Sequence, residues 1–260
     1  MSLAAIFAGT KPSVPKIEVA KTPCIIVVGG PPGCGKSSVA KKMVERFAGA
    51  WVRFCKDEHG KDYIDNTREH IKSLEANVVT GKKSKKGGVI IDMCMMTEAQ
   101  IAKVKVLSVE LDVPLFRIYP AELVGDLETR VDFFLRCVAG LEKRGAQHHS
   151  LGTKAPEFRA RISAIFKCQG WDTVPLWCQE DPSVITVAYM NDTTTPHDTK
   201  DYQDSIHSLV TATNGNFDCK LDSKHEKTLN DTVTYIGKND MFKGSRTITQ
   251  IANAIGDRMK

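Results

Sequence analysis

Gly30, Gly35, Lys36 and Ser37 stand at the spacing G-x-x-x-x-G-K-S within "IIVVGGPPGCGKSSVAKKM", Ile25 to Met43. An apolar run precedes the glycines and a helix-like stretch follows them. In that context glycines let backbone N–H groups turn inward around phosphate oxygens. A helix starting near Lys36 adds its positive end. The spacing then aims Lys36 at the β- and γ-phosphates of a nucleoside triphosphate, and the Ser37 hydroxyl at Mg2+. The expected cradle runs through Gly30, Pro31, Pro32, Gly33, Cys34, Gly35, Lys36, Ser37 and Ser38, with Cys34 read as a small filler residue.

Triphosphate binding alone fits a switch, a motor or a kinase. A guanine-reading N-K-x-D element is missing from the sequence. The strand-like "VIIDMC" ends in the single acidic residue Asp92, where a motor would carry an acidic pair. A small kinase needs a base for the acceptor hydroxyl and an arginine-bearing lid over the transferring phosphate. Asp57 in "FCKDEHGKD" is the candidate base, with helix capping as its structural alternative. Arg130, Arg136 and Arg144 fall on or at the end of a long helical pattern. A solvated helix face is their structural alternative.

These residues need a scaffold. "PCIIVVGG" reads as a strand buried on both faces. Further strands are expected at "WVRF", "GGVIIDMC", "PLFRIYP" and "SVITVAYM". Between them lie helical patterns from about 36 to 47, 62 to 79, 97 to 111 (opened by a Thr97–Gln100 capping box) and 121 to 144, with another over 156 to 168. Alternation of this kind predicts an α/β fold, a five-stranded parallel P-loop kinase sheet with helices on both faces and a helical lid. Ligands would collect beyond the carboxyl ends of the strands. "DYQDSIHSLV" reads as a helix, "TVTYIG" as an edge strand and "SRTITQIANAIGDRMK" as a closing helix. One kinase domain over 23–260 is expected, after a flexible arm at 1–22.

The 260 residues are 42% hydrophobic and 26% charged, enough for a sizeable core. None of the apolar runs approaches the roughly 20 residues of a membrane span, so no membrane partner is expected. The eight cysteines are scattered without a C-x-x-C pair, which points to a reducing compartment, cytoplasmic or nuclear. A net charge of +5 permits an anionic partner. The densest basic cluster is Lys82 to Lys86, read first as a solvated loop.

Four segments together resemble the polynucleotide kinase module of fungal-type tRNA ligases. Beside the glycine loop, "KDEHGKD" (Lys56–Asp62) is similar to that family's "QDELGSR", "IIDMCM" (Ile90–Met95) to its "IIDRCN", and "RGAQHHS" (Arg144–Ser150) to its "RGDNHQS". The similarity reaches from about residue 24 to 152. It implies that Asp57 is the general base on a 5′-hydroxyl, that Asp92 organises the metal or acceptor, and that Arg144 is a lid arginine. Gly145, His148 and Ser150 would shape the nucleotide side of the lid. Asp62, Met93 and Met95 depart from the family pattern, which leaves room for an acceptor other than RNA.

The expected activity is phosphate transfer from ATP or GTP, with Mg2+, to the 5′-hydroxyl of RNA. The alternatives are a nucleoside, nucleotide or other small-molecule kinase, and a non-catalytic nucleotide-binding protein. Lys36, Asp57 and Arg144 carry the expected chemistry, Arg136 and His148 join the cradle on the donor, and Ser37 and Asp92 are the expected metal ligands. A lid is expected from about Leu135 to Gly152. For an RNA acceptor, Arg53, Lys61 and Lys82 to Lys86 are the candidate cations along its path.

Overall fold

Cys24–Val28 is an uninterrupted apolar pentapeptide, and every residue in it is fully buried. It forms β1, the middle strand of the sheet. The computed structural model of the chain describes residues 16–19, 22–79, 86–94, 97–144, 162, 181–189, 200–214, 219–238 and 245–259. The helical pattern over 156–168 and the lid residues beyond Arg144 lie outside these, apart from the buried Ile162.

After β1 come α1 (Lys36–Arg46), β2 (Ala50–Cys55), the short α2 (Lys56–His59), α3 (Tyr63–Val79) and β3 (Gly87–Asp92). Then follow α4 (Glu98–Glu110), β4 (Leu115–Pro120), a 3-10 turn (Ala121–Val124) and α5 (Leu127–Arg144). The last elements are β5 (Val184–Val187), α6 (Lys200–Thr213), α7 (Ser223–Lys238) and α8 (Ser245–Arg258). Strand order is β2-β3-β1-β4-β5, all parallel.

From β1 to β2 the chain steps one way across the sheet, and from β2 to β3 it steps back. Right-handed crossovers therefore put α1 and α3 on opposite faces. The packing agrees: α1 lies on β1, β2 and β3 beside α8, whereas α3 lies on β2 and β3 beside α4. Ile248, Ile251 and Ile255 give α8 its fully buried stripe. Thr97 and Gln100 form the expected reciprocal capping box on α4. No helix among the described residues is long and apolar enough to cross a membrane.

Three expectations change. The pattern from 121 to 144 is broken: a 3-10 turn ends at Gly125, and Asp126 restarts the chain by accepting the Thr129 N–H at 2.8 Å. "TVTYIG" lies inside α7 rather than on an edge strand. Its β-branched alternation loses to the helical spacing of buried Leu229 and Thr232 and to an Asp222 cap on the His225 N–H at 2.8 Å. Within the arm at 1–22, two of the described residues are packed: Ile17 bridges to Phe47 and Val19 is buried.

Arg117 in β4 is fully buried and charged. Its guanidinium donates to Asp181 and, at 3.2 Å, to Ser183 Oγ, while Lys105 of α4 donates to the same Asp181 carboxylate at 2.8 Å. Partial burial alone would raise the Asp181 carboxyl. Hydrogen bonds from Lys105 and Ser183 and the Arg117 charge overcome that and hold it well below the usual carboxylate range. A depressed carboxyl stabilises the fold above about pH 4 and loses that contribution as pH falls toward its folded value. Asp181→Asn should cost about 3 kcal/mol at pH 7, because Arg117 is left buried without its counter-charge. Urea midpoints measured across pH should show the gap to wild type narrowing below about pH 4; a gap constant with pH would assign the loss to packing.

Candidate functional site

The carboxyl ends of β1, β3 and β4 meet at the glycine loop. Val28 is in register with Asp92 on one side and with Ile118 on the other. Beyond it, the Gly29 N–H donates to Ile118 O at 2.8 Å and the Gly30 N–H to Cys94 O at 3.0 Å. The loop is thus pinned to both neighbouring strands before it turns. Gly30, Gly33 and Gly35 take positive φ values of 129°, 83° and 92°. The N–H groups of Gly33, Gly35 and Ser37 have no backbone acceptor among the described residues, and Pro31 and Pro32 have none to offer. The loop therefore ends in uncommitted donors at the start of α1, the arrangement that anions seek.

Lys36 is buried and donates to Pro31 O at 2.8 Å, so its ammonium folds back over the loop. Burial disfavours the charge, but Cys34, Cys94 and Asp92 around it more than offset that, and its pKa lies above the usual lysine value. Cys34 is buried inside the loop, and its sulfur receives the Lys36 backbone N–H. Burial pushes its thiol up to about 11, against the lowering effect of Lys36. It stays protonated at neutral pH and fills space, as its sequence context suggested. Ser37 and Ser38 are half-buried on the first turn of α1.

Asp92 is 2% exposed at the end of β3 and in register with Cys55 of β2. Two residues beyond Cys55, Asp57 sits exposed on α2, and its carboxylate makes no hydrogen bond to another described residue. The fold thus brings Lys36, Asp92 and the Asp57 turn to one edge of the sheet. Arg53 joins them: its Nε and Nη2 donate to Asp92 Oδ2 at 2.9 and 2.7 Å, and its Nη1 to both Glu58 oxygens at 3.1 and 3.0 Å. From sequence, Arg53 is one of the candidate cations along an RNA path. Its guanidinium is instead engaged by two carboxylates.

The other arginines divide. Arg130 is buried and donates to Gly125 O at 2.6 Å, which makes it a structural residue. Arg136 donates to Asp132 Oδ2 at 2.8 Å, one turn back on α5. Arg144 is the last residue of α5, while Gly145, His148, His149 and Ser150 lie outside the described residues. The expected lid began at Leu135, but Leu135, Cys137, Val138, Ala139 and Leu141 are core residues. Lys86 precedes β3 at its amino end and pairs with Glu18 at 2.8 Å. Six strand residues separate it from the Asp92 end, about 20 Å at ~3.3 Å per residue. Lys86 therefore stands at the opposite pole of the sheet, and residues 82–85 lie outside the described residues, while Lys61, exposed after α2, stays at the site edge. A pocket of about 360 Å³ between α3 and α4, lined by Ile64, Arg68, Val106 and Glu110 among others, contains none of the candidate residues.

Sequence reasoning missed the partnership between the loop and α5. A Cβ on Gly33 would lie 2.0 Å from Cys137 O, and one on Gly140 would lie 2.6 Å from Gly33 O. Backbone therefore meets backbone, over a helix surface made of small residues. The signal was present in "CVAGL", where a glycine interrupts an otherwise good helix. It also missed Tyr119, whose ring covers Gly29, and Glu58.

No family model matches the chain, and no curated protein matches it. Among solved structures, one described as "Crystal structure of APE1195" aligns at 14% identity and a TM-score of 0.37, covering 74% of this chain and 99% of that chain. So slight a likeness carries no argument about function. The class defined by the architecture is an α/β protein with a five-stranded, all-parallel sheet flanked by helices.

The loop–helix contact gives a direct expectation. Gly60 also has a positive φ, 58°, but a Cβ there would meet nothing within 4 Å. Both Gly33→Ala and Gly60→Ala strain the backbone, and only the first also drives a methyl into α5. Gly33→Ala should cost about 1 to 3 kcal/mol more than Gly60→Ala in urea unfolding. Equal losses would mean that α5 yields freely.

Proposed function

We propose that this chain is a P-loop phosphotransferase of the kinase type, moving the γ-phosphate of ATP or GTP to a hydroxyl group. The observation that carries the proposal is the G-x-x-x-x-G-K-S loop at the carboxyl end of the central strand, with Lys36 beside Asp92 and the Asp57 turn on the adjoining strand pair. A binding protein would need the loop alone. The adjoining acidic edge is what a transfer reaction adds.

In this reading the uncommitted loop N–H groups receive phosphate oxygens, and the Lys36 ammonium exchanges Pro31 O for the β- and γ-phosphates. Asp57 takes the proton from the acceptor hydroxyl as its oxygen attacks the γ-phosphorus, and the β–γ bridging oxygen leaves with the diphosphate. Arg144, at the end of α5, opens the helical lid and reaches over the transferring phosphate, with His148 beyond it on the nucleotide side. Mg2+ fits the donor set here. The Ser37 hydroxyl and the Asp92 oxygen not used by Arg53 would hold it, as the hard oxygen ligands that Mg2+ takes. It would neutralise charge on the β- and γ-phosphates. Among the described residues no cluster of three His, Cys, Asp or Glu side chains forms an all-protein metal site.

The 5′-hydroxyl of RNA is the first acceptor, on the resemblance of the four segments. A specific observation favours a second reading, a small hydroxyl-bearing metabolite or nucleoside. Of the cations nominated for an RNA path, Arg53 is tied to Asp92 and Glu58, and Lys86 starts from the far pole. Lys61, the lid basic residues and the lysines of 82–85, which lie outside the described residues, remain.

Lys36→Ala should abolish transfer with the fold intact, because the ammonium serves phosphate charge and, among the described residues, donates a hydrogen bond to Pro31 O alone. Asp57→Asn should lower the single-turnover rate by about 10²-fold or more with donor affinity little changed. Wild-type rates in the Lys36 variant would end the kinase reading, and lost donor binding in the Asp57 variant would move that residue to the donor side.

Acceptor class is read by offering a 5′-hydroxyl oligoribonucleotide and a panel of nucleosides with radiolabelled ATP and GTP. An RNA kinase should prefer the oligonucleotide, with binding that weakens steeply as salt rises. Comparable efficiency on a nucleoside would select the small-acceptor reading.

A further inference from the structure

We infer that Arg53 is a positioning residue that holds the acceptor side of the site in register with the phosphate loop; the inference rests on the reading of Asp57 as the base. Asp57 belongs to a four-residue helix, α2, with no buried residue and no side-chain cap. Such an element has little intrinsic stability. Its described anchors are few. The Cys55 sulfur receives the Asp57 and Glu58 backbone N–H groups, and His59 Nδ1 lies 3.0 Å from Cys55 O. Both anchors tie α2 only to the end of its own strand.

Arg53 supplies the link to the rest of the sheet. One guanidinium grips Asp92 through two nitrogens and Glu58 through the third. Glu58 follows Asp57 directly. The clamp therefore joins the turn carrying the base to a buried carboxylate at the end of β3, one strand from the loop. Arg53 side-chain exposure is 12%, against 53% for Glu58. The Asp92 half of the clamp is thus sheltered and the Glu58 half faces the acceptor side. A planar fork suits this double role, because it fixes two carboxylates at a set angle, which an ammonium cannot do. All three guanidinium nitrogens are engaged by Asp92 and Glu58, so Arg53 acts through the turn that carries Asp57 and through Asp92.

The test uses Arg53→Gln, Arg53→Lys, Glu58→Gln and the Arg53→Gln/Glu58→Gln double variant in the full chain. Two readouts are taken: amide hydrogen exchange at residues 57–60, and single-turnover kinetics with donor and acceptor varied separately. Exchange at Val89–Ile91 in β3 reports whether each variant remains folded. Arg53→Gln should raise exchange at 57–60 by about 10-fold with the β3 amides unchanged. It should also lower the transfer rate by about 10-fold or more and leave half-saturation by donor unmoved. Glu58→Gln should give the same pattern in milder form, and the double variant should be no worse than Arg53→Gln, since one contact cannot be lost twice. Arg53→Lys should fall between. Unchanged exchange at 57–60, additive losses, or a donor-binding defect would each overturn the inference. If Arg53→Gln loses β3 protection, Glu58→Gln decides alone, because it leaves the Asp92 grip in place. Should wild type transfer phosphate to no acceptor, the kinase reading fails, and the exchange comparison still decides whether Arg53 holds α2.

Discussion

The register of β1 between β3 and β4 is the constraint on which the rest depends. A strand paired on both edges has no freedom at its end, so Gly29 and Gly30 leave it already hydrogen-bonded to Ile118 and Cys94. The turn that follows must form in the small space above the sheet. There it meets the backbone of α5 at Cys137 and Gly140. A one-residue slip of β1 would exchange the faces of its side chains and carry the loop away from Asp92. Both faces of β1 are apolar, so the slip is opposed by close packing of each side chain in its own place in the core and by the Gly29 and Gly30 hydrogen bonds. The packing of a short strand thereby helps to fix the position of a polar loop.

Charge is arranged around this loop with little surplus. Two buried or nearly buried cations, Lys36 and Arg53, share the neighbourhood of one buried carboxylate, Asp92. Arg53 donates two hydrogen bonds to it and pairs with a second carboxylate, Glu58, besides. Lys36 has a carbonyl, Pro31 O, as its direct partner. A buried ammonium resting on a neutral acceptor is the less compensated of the two, and it stands to gain more from an arriving anion. The asymmetry supports the division of labour proposed above: Lys36 exchanges partners when phosphate arrives, whereas Arg53 keeps its own.

The sheet was legible from sequence because buried parallel strands are short apolar runs bounded by glycine and proline, as in "PCIIVVGG" and "GGVIIDMC". The loop was legible because its spacing and its strand–helix context occur together. Contacts between elements remote in sequence were not. Nothing local in "WVRFC" tells that Arg53 faces Asp92, since that depends on β2 pairing with β3 in one register. Nothing near Lys86 tells that it stands at the other end of the strand from Asp92, because a charge cluster carries no polarity until the strand has a direction. "TVTYIG" failed for the opposite reason: its local preference was real, and packing against α5 and α6 overrode it.

The arginines show how the same charge serves structure and chemistry at different depths. Arg117 is sealed in β4 with Asp181, and Arg130 is sealed at the start of α5 against Gly125 O. Arg53 is intermediate, buried at its Asp92 end and open at its Glu58 end. Each committed guanidinium holds a turn or a strand end where the backbone alone would leave it loose. The count of 36 lysines and arginines therefore overstates the cation available to a ligand. The potential an acceptor meets is set by the few basic groups without an internal acid, and at this edge of the sheet Lys61 is one of them. Long-range attraction of a polyanion needs many such groups on one face. Orientation of a single hydroxyl against a loop-bound phosphate needs very few, provided that the turn carrying the base is held still.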